Sequence, residues 1–191
     1  MIYLTVGTDI ITKEQFIPIK NGDEGIYKPT GGLWLTEYDI NYDNYNTWVE
    51  YLIDNPSVLL FKSRLNPWSQ PCSVVKLKDD ANIFNLKTQN DFEYLMDKYP
   101  TNNSCFSYET MCYDYDGINV NLFSLITNNN KKEIFNLIRQ YCVNTLLLYN
   151  LDCIEYYHPA KLSIKPFNID YPTNEEAIYK IAYDKIKKRV M

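Results

Sequence analysis

One segment of the sequence combines side chains that can hold a planar ligand with a backbone that can approach one closely. It runs from Lys28 to Tyr38 and reads KPTGGLWLTEY. The paired glycines remove the side-chain bulk that keeps a backbone away from a bound group, and Trp34 and Tyr38 offer rings for stacking. The same pattern is typical of a hairpin turn followed by a strand with a core tryptophan. The residues alone leave both interpretations open.

Acidic residues occur close together at three places, which are Asp79-Asp80, Asp114 with Asp116, and Glu109. Paired carboxylates can bind a divalent cation or share acid–base work. Asp-Asp and Asp-Gly pairs are also typical of turns, where the carboxylate accepts local backbone hydrogen bonds. We therefore favour turns at Asp79-Asp80 and at Asp116-Gly117, and we expect no metal site.

Motifs for other common chemistries do not occur in the sequence. It contains neither GxGxxG nor GxxxxGK[ST], the loops that cradle nucleotide phosphates, and it has no GxSxG of the hydrolases. The single histidine, His158, precedes Pro159 in a predicted turn and cannot form a histidine cluster. The five cysteines include no CxxC pair, which argues against a zinc site and a disulfide framework. We expect the cysteines to be small core residues.

Four segments, in this order and spacing, resemble a family of small bacterial and phage proteins with an ADP-ribosyltransferase-like fold. They are IYLTVGT (2–8), KPTGGLWLT (28–36), FSYETMCYDYDGINV (106–120) and NTLLLYNLDCI (144–154). The resemblance implies that NAD is the substrate and that ADP-ribose is passed to a macromolecule. It also implies a setting such as a toxin or a phage–host conflict protein.

Members of that family bind NAD with an Arg or His on the first strand and with Ser, Thr or Tyr on a second strand. A Glu before a late apolar strand stabilises the oxocarbenium-like transition state. In this chain the first-strand position falls near Thr5, where neither Arg nor His stands, and the late position falls near Asn144. An amide supplies no negative charge there, so Glu109 would have to provide it.

The resemblance thus implies a variant site. Its cofactor-binding residues would be Thr5, Gly32, Trp34, Thr36 and Tyr38, and its catalytic residues would be Glu109 and Asn144. The alternative is a non-catalytic protein-binding module or inhibitor on the same scaffold. In that case exposed tyrosines and acidic residues would contact a protein partner.

The periodicity of the apolar residues predicts a single α+β domain over 1–191. It has a mixed, largely antiparallel β core flanked by short helices. The continuous apolar run at 145–149 predicts a central strand buried on both faces. Strands are expected at 2–8, 33–36, 57–62, 72–77, 118–122, 145–149, 153–157 and 161–164. Helices are expected after N-caps at Asn44, Thr88 and Ser107, after the loop 128–130, and as a C-terminal helix over 173–191.

The net charge, the apolar runs and the tyrosine content indicate which classes of binding partner to expect. The net charge is −5, and no basic stripe suited to duplex nucleic acid runs through the chain. Neither a signal peptide nor a long apolar run is evident, so we expect a cytoplasmic protein that does not contact a membrane. Eighteen tyrosines are explained either by AT-rich coding or by a tyrosine-rich binding surface. A protein partner or protein acceptor is expected.

Overall fold

The computed structural model describes residues 2–8, 10–37, 69–102, 105–127, 132–141 and 143–163. The predicted helix after Asn44, the predicted strand 57–62 and the predicted helix 173–191 lie outside the described residues. The strands are β1 (Ile2–Val6), β2 (Leu33–Glu37), β3 (Ser69–Leu77), β4 (Ile83–Leu86), β5 (Gly117–Val120), β6 (Thr145–Leu148) and β7 (Ile154–Ser163). The helices are α1 (Gln89–Lys98), α2 (Tyr108–Met111), α3 (Leu122–Thr127) and α4 (Lys132–Gln140). None of these helices is long and apolar enough to cross a membrane.

The described strands form one sheet in the order β4-β5-β6-β2-β1-β3-β7. The pair β4–β5 is parallel, and the other neighbouring pairs are antiparallel. The predicted α+β class with a mixed, largely antiparallel sheet is confirmed at this level. All four residues of β6 are buried, between β5 and β2, as the apolar run predicted.

The two faces of the sheet carry different sets of side chains. Residues opposite each other in an antiparallel ladder point to the same face, and neighbours along a strand alternate. One face, called here the helix face, carries Trp34, which pairs with Leu147, and Leu4, which pairs with Thr36. The helices pack on this face, where the buried cluster includes Leu86, Phe92, Leu95, Ile118, Val120, Ile134, Leu137 and Leu147. The opposite face carries a second cluster that includes Tyr3, Leu35, Val75, Leu77, Leu146 and Leu148.

Both predicted helix N-caps that lie in the described residues are confirmed. The Thr88 side chain accepts a hydrogen bond from the Asp91 backbone N–H, and the Asp91 carboxylate accepts one from the Thr88 backbone N–H at 2.8 Å. Ser107 Oγ accepts a hydrogen bond from the Thr110 N–H at 3.2 Å. The spacing of apolar residues also predicts Met96 in the buried stripe of α1 with Phe92 and Leu95. This is wrong, because Met96 lies at the margin of the stripe and is 37% exposed.

Two strand predictions near the C-terminal end of the described residues are wrong. The predicted pair 153–157 and 161–164 is a single strand, β7, so His158 and Pro159 stand in a strand and not in a turn. Because β7 is the last strand in the sheet order, a proline nitrogen on its outer side needs no ladder hydrogen bond.

A further prediction is wrong where the chain leaves β5. The sequence predicted a strand through Leu122, but the strand ends at Val120 and α3 begins at Leu122. The reason is local, because the Asn121 side chain accepts a hydrogen bond from the Ser124 N–H at 3.0 Å and so favours a helical start. The four-residue strand β4 was not predicted at all.

Candidate functional site

The paired glycines before β2 allow the backbone to lie close to other parts of the protein's own chain. Gly31 and Gly32 have φ values of 75° and 67°, in the left-handed region that favours glycine. A Cβ on Gly32 would lie 2.5 Å from the Leu147 Cδ1 atom and 2.7 Å from the Leu148 carbonyl oxygen. The close approach that Gly32 permits is therefore an approach to β6, whereas Gly31 lies against the carbonyl oxygens of Ile17 and Pro18.

Trp34 is half-buried and its ring is engaged by other parts of the chain. Its Nε1–H donates a hydrogen bond to the Gly31 carbonyl oxygen at 2.9 Å. The Lys28 ammonium lies 4.4 Å from the centroid of the indole ring, and the Tyr141 ring lies 5.8 Å away. Trp34 thus contacts both the glycine turn, which is Gly31-Gly32, and Tyr141, which follows the end of α4.

The loop that leads into the glycine turn is held by α4 and α2. Gln140 Oε1 accepts hydrogen bonds from the backbone N–H groups of Tyr27, at 2.7 Å, and Lys28, at 2.9 Å. The Tyr108 hydroxyl donates to the Tyr27 carbonyl oxygen at 3.0 Å. Since its one proton is used there, the Tyr141 hydroxyl is the donor in the 3.0 Å bond between Tyr108 and Tyr141. Burial raises the pKa of both tyrosines.

The sheet separates the threonines that were expected to share the NAD site. Thr5 is 5% exposed and pairs with Ser73, whereas Thr36 is 4% exposed and pairs with Leu4. By strand alternation Thr36 lies on the helix face with Trp34, and Thr5 lies on the opposite face with Tyr3. Tyr38 lies outside the described residues.

The two expected catalytic residues each hold a neighbouring segment of chain. Glu109 is exposed, and its Oε2 accepts a hydrogen bond from the Asn21 side-chain amide at 3.0 Å. Asn21 Oδ1 in turn accepts from the backbone N–H of Tyr108 at 2.7 Å, at the start of α2. Asn144 Oδ1 accepts from the Leu122 N–H at 2.8 Å, at the start of α3. Asn144 thus caps the start of α3, whereas Glu109 holds Asn21, which caps the start of α2.

The other acidic residues are placed as the turn interpretation expects. Asp79 and Asp80 lie in a turn. Asp116 accepts hydrogen bonds from the Asn82 N–H at 2.9 Å and from the Asn150 side-chain amide at 2.8 Å. In the part of the chain that the structure describes, no three His, Cys, Asp or Glu residues come together as a metal site.

A different group of charged and aromatic side chains gathers where α1 meets the turn after α2. The Lys98 ammonium lies 5.7 Å from the Tyr94 ring centroid, 5.0 Å from that of Tyr99 and 5.6 Å from that of Tyr115. It also forms an ion pair with Asp114 at 3.0 Å. One partly exposed cation therefore lies near three tyrosine rings and a carboxylate.

Hydrogen bonds stabilise the charged forms of Lys98 and Asp114 in this group. The Tyr99 hydroxyl donates to Asp114 at 2.6 Å, and this bond, followed by the one from Lys98, lowers the pKa of Asp114. The pKa of Lys98 is raised, first by its hydrogen bond with Tyr99 and then by that with Asp114. Burial, followed by the bond to Asp114, raises the pKa of Tyr99 to about 12. At neutral pH the ammonium and the carboxylate are both ionised.

Two tyrosines beside this group face solvent. Tyr113, next to Asp114 in the chain, is 87% exposed, and Tyr94 is 44% exposed. Glu109 lies four residues before Tyr113 in the chain, and the Tyr113 N–H donates to the Thr110 carbonyl oxygen at 3.2 Å. We define the Tyr113 surface as the following residues: Tyr94, Asp97, Lys98, Glu109, Tyr113, Asp114 and Tyr115.

Comparisons with known proteins identify no relative of this chain. No protein-family model, curated protein or solved structure matches this chain. The resemblance to ADP-ribosyltransferases therefore stays a prediction, and the functional argument rests on the chain's own residues.

The Tyr113 surface was only partly visible in the sequence. The abundance of tyrosine indicated a binding surface as one of two explanations, and Asp114, Asp116 and Glu109 are among the acidic residues that occur close together in the sequence. Nothing in the spacing indicated that Lys98, sixteen residues before Asp114, would pair with it. That contact depends on how α1 packs against the turn after α2.

Proposed function

We propose that this protein is a non-catalytic protein-binding module and that the Tyr113 surface is its contact face. The observation that carries the proposal is the 87% exposure of Tyr113, which precedes Asp114 in the chain, where Asp114 is held by a hydrogen bond from Tyr99 and an ion pair with Lys98. Tyrosine is enriched among the residues that dominate binding energy at protein interfaces. Its rigid ring buries a large area on binding and loses little conformational entropy.

The contacts of the residues expected to bind NAD favour a protein-binding function over transfer of ADP-ribose. Glu109 and Asn144 accept hydrogen bonds from elsewhere in the chain, Gly32 packs against β6, and the sheet separates Thr5 from Thr36. Glu109, Asn144 and Gly32 thus each make contacts within the fold that account for them without NAD.

ADP-ribosyltransferase activity is the second hypothesis, and one observation favours it. The Lys28 ammonium, 4.4 Å from the Trp34 ring centroid, is a cation beside the ring that the resemblance assigns to the cofactor. A cation in that position is chemically suited to a diphosphate and would replace the Arg or His that the first strand lacks.

Partner capture with matched tyrosine variants tests the binding proposal. Immobilised wild type, Tyr113→Ala and Tyr156→Ala are incubated with a lysate of the source cells, and retained proteins are quantified by mass spectrometry. Tyr156 is a suitable control, because it is 42% exposed and lies on β7 at the other end of the sheet order. We expect Tyr113→Ala to reduce retention of the partner about tenfold or more, and Tyr156→Ala to leave it unchanged. Equal retention by wild type and Tyr113→Ala contradicts the proposal.

A further inference from the structure

The surroundings of Lys98 indicate which chemistry the Tyr113 surface accommodates. Its ammonium lies within 5.0–5.7 Å of the centroids of three tyrosine rings and 3.0 Å from the Asp114 carboxylate. The faces of aromatic rings carry partial negative charge and attract cations. The surface is thus a cation-binding environment that holds one cation of its own chain.

Two more carboxylates flank the exposed rings. Asp97 is exposed and lies three residues after Tyr94 on α1, a spacing that makes the two side chains neighbours on the helix surface. Glu109 is exposed and lies four residues before Tyr113 in the chain. Lys98 is the one cation among the residues of the Tyr113 surface, and it is paired with Asp114. The surface therefore combines exposed rings with an excess of negative charge.

Resting on the proposed function, we propose that the partner presents an arginine-rich basic segment to the Tyr113 surface. A guanidinium group stacks on the exposed ring of Tyr113, and others pair with the exposed carboxylates of Glu109 and Asp97. Arginine suits this arrangement better than lysine, because its planar guanidinium both stacks on aromatic faces and binds a carboxylate with two parallel hydrogen bonds. The net charge of −5 draws such a segment toward the protein.

Lys98 limits the affinity of this surface for a basic segment. It repels an incoming cation, and it occupies the Asp114 carboxylate and the three ring faces. Replacing it with glutamine removes the repulsion and frees those groups for the partner. Lys76 offers a matched control on β3, because it pairs with Glu155 at 2.6 Å and lies 5.7 Å from the Tyr156 ring centroid. Lys76→Gln removes the same charge from a similar setting, away from the Tyr113 surface.

Fluorescence anisotropy with two labelled peptides, alternating Gly-Arg and alternating Gly-Glu, tests the proposal at physiological salt. We expect the wild type to bind the Gly-Arg peptide saturably and to leave the Gly-Glu peptide free. Tyr113→Ala should weaken Gly-Arg binding about fivefold, Lys98→Gln should tighten it about fivefold, and Lys76→Gln should change it less than about twofold. Circular dichroism and urea midpoints at neutral pH verify that each variant is folded.

Several results would overturn the proposal. Absence of saturable Gly-Arg binding contradicts it directly, and equal tightening by Lys98→Gln and Lys76→Gln shows that overall charge alone governs binding. Competition separates this inference from the proposed function. If capture of the partner depends on Tyr113 but excess Gly-Arg peptide does not displace it, the contact face stands and the basic partner is wrong. If capture does not depend on Tyr113, the proposed function itself is wrong.

Discussion

Raising the pH from 9 to 11 is expected to lower the free energy of unfolding by about 5 kcal/mol, because buried tyrosines resist ionisation in the fold. Burial, together with the nearby Glu37, raises the pKa of Tyr3 to about 12. Burial likewise raises the pKa values of Tyr108, Tyr141 and Tyr149. In the unfolded chain these groups ionise near pH 10, so the stability that they contribute is present below pH 10 and is lost as the pH rises toward their folded pKa values.

The size of this effect follows from linkage. Each of these four tyrosines contributes roughly a quarter of the loss between pH 9 and pH 11, and the sum is comparable with the whole stability of a small domain, about 5–15 kcal/mol. Urea unfolding followed by circular dichroism at pH 9, 10 and 11 measures it.

Tyr149→Phe provides an internal control for the alkaline effect. The Tyr149 hydroxyl donates to the Met111 sulfur at 3.3 Å, a weak bond whose loss changes little at neutral pH. This variant should lose roughly a quarter less stability than the wild type over the same pH interval. Identical pH dependence in the two proteins would show that the Tyr149 hydroxyl does not resist ionisation in the fold.

Gly32→Ala is expected to destabilise the protein by about 2–5 kcal/mol, which combines left-handed backbone strain with overpacking. The strain follows from the φ of 67°. The overpacking follows from the Leu148 carbonyl oxygen, 2.7 Å from the added Cβ, because a backbone atom of a central strand cannot move aside as a side chain can. Urea unfolding at neutral pH gives the difference.

Gly25→Ala separates the two contributions to that loss. Gly25 also has a positive φ, 78°, but an added Cβ would meet nothing within 4 Å. We expect a loss of about 1–2 kcal/mol from backbone strain alone. If the two variants are equally destabilised, the glycine turn does not press on β6, and the space beside Gly32 becomes available for a ligand.

The parts of the fold that the sequence predicted correctly are those set by neighbouring residues. The cap at Thr88 depends on Asp91 three residues later, and the cap at Ser107 on Thr110. The position of β6 follows from an unbroken apolar run that suits burial on both faces. Local sequence carries enough information in these cases because the interacting groups lie within one turn or one strand.

Local sequence patterns could not predict which candidate site residues lie close together in the fold. Whether Thr5 and Thr36 share a face is decided by the register between β1 and β2, which pairs Leu4 with Thr36. A shift of one residue would have brought Thr5 opposite Thr36, so a small tertiary difference separates a shared site from a divided one. The pairing of Lys98 with Asp114 likewise depends on tertiary packing.

A broader consequence concerns how glycine and tryptophan motifs are interpreted. The residue types of KPTGGLWLT suit a ligand, yet in this fold Gly32 approaches β6, Gly31 approaches the Pro18 carbonyl oxygen, and the tryptophan contacts Lys28 and Tyr141. The residues that permit close approach of a ligand also permit close approach of the protein's own strand. The exposed tyrosines, which carry no motif, support a functional role better.

NAD titration is the most direct test of the central claim that the residues expected to hold NAD instead maintain the fold. Calorimetry with NAD up to about 1 mM is combined with an assay of nicotinamide release, with a cell lysate as the source of acceptors. We predict neither a saturable heat of binding nor release above that of the lysate alone. Saturable binding or release that is reduced by Thr36→Val and by Lys28→Gln would contradict the claim and establish a variant transferase site.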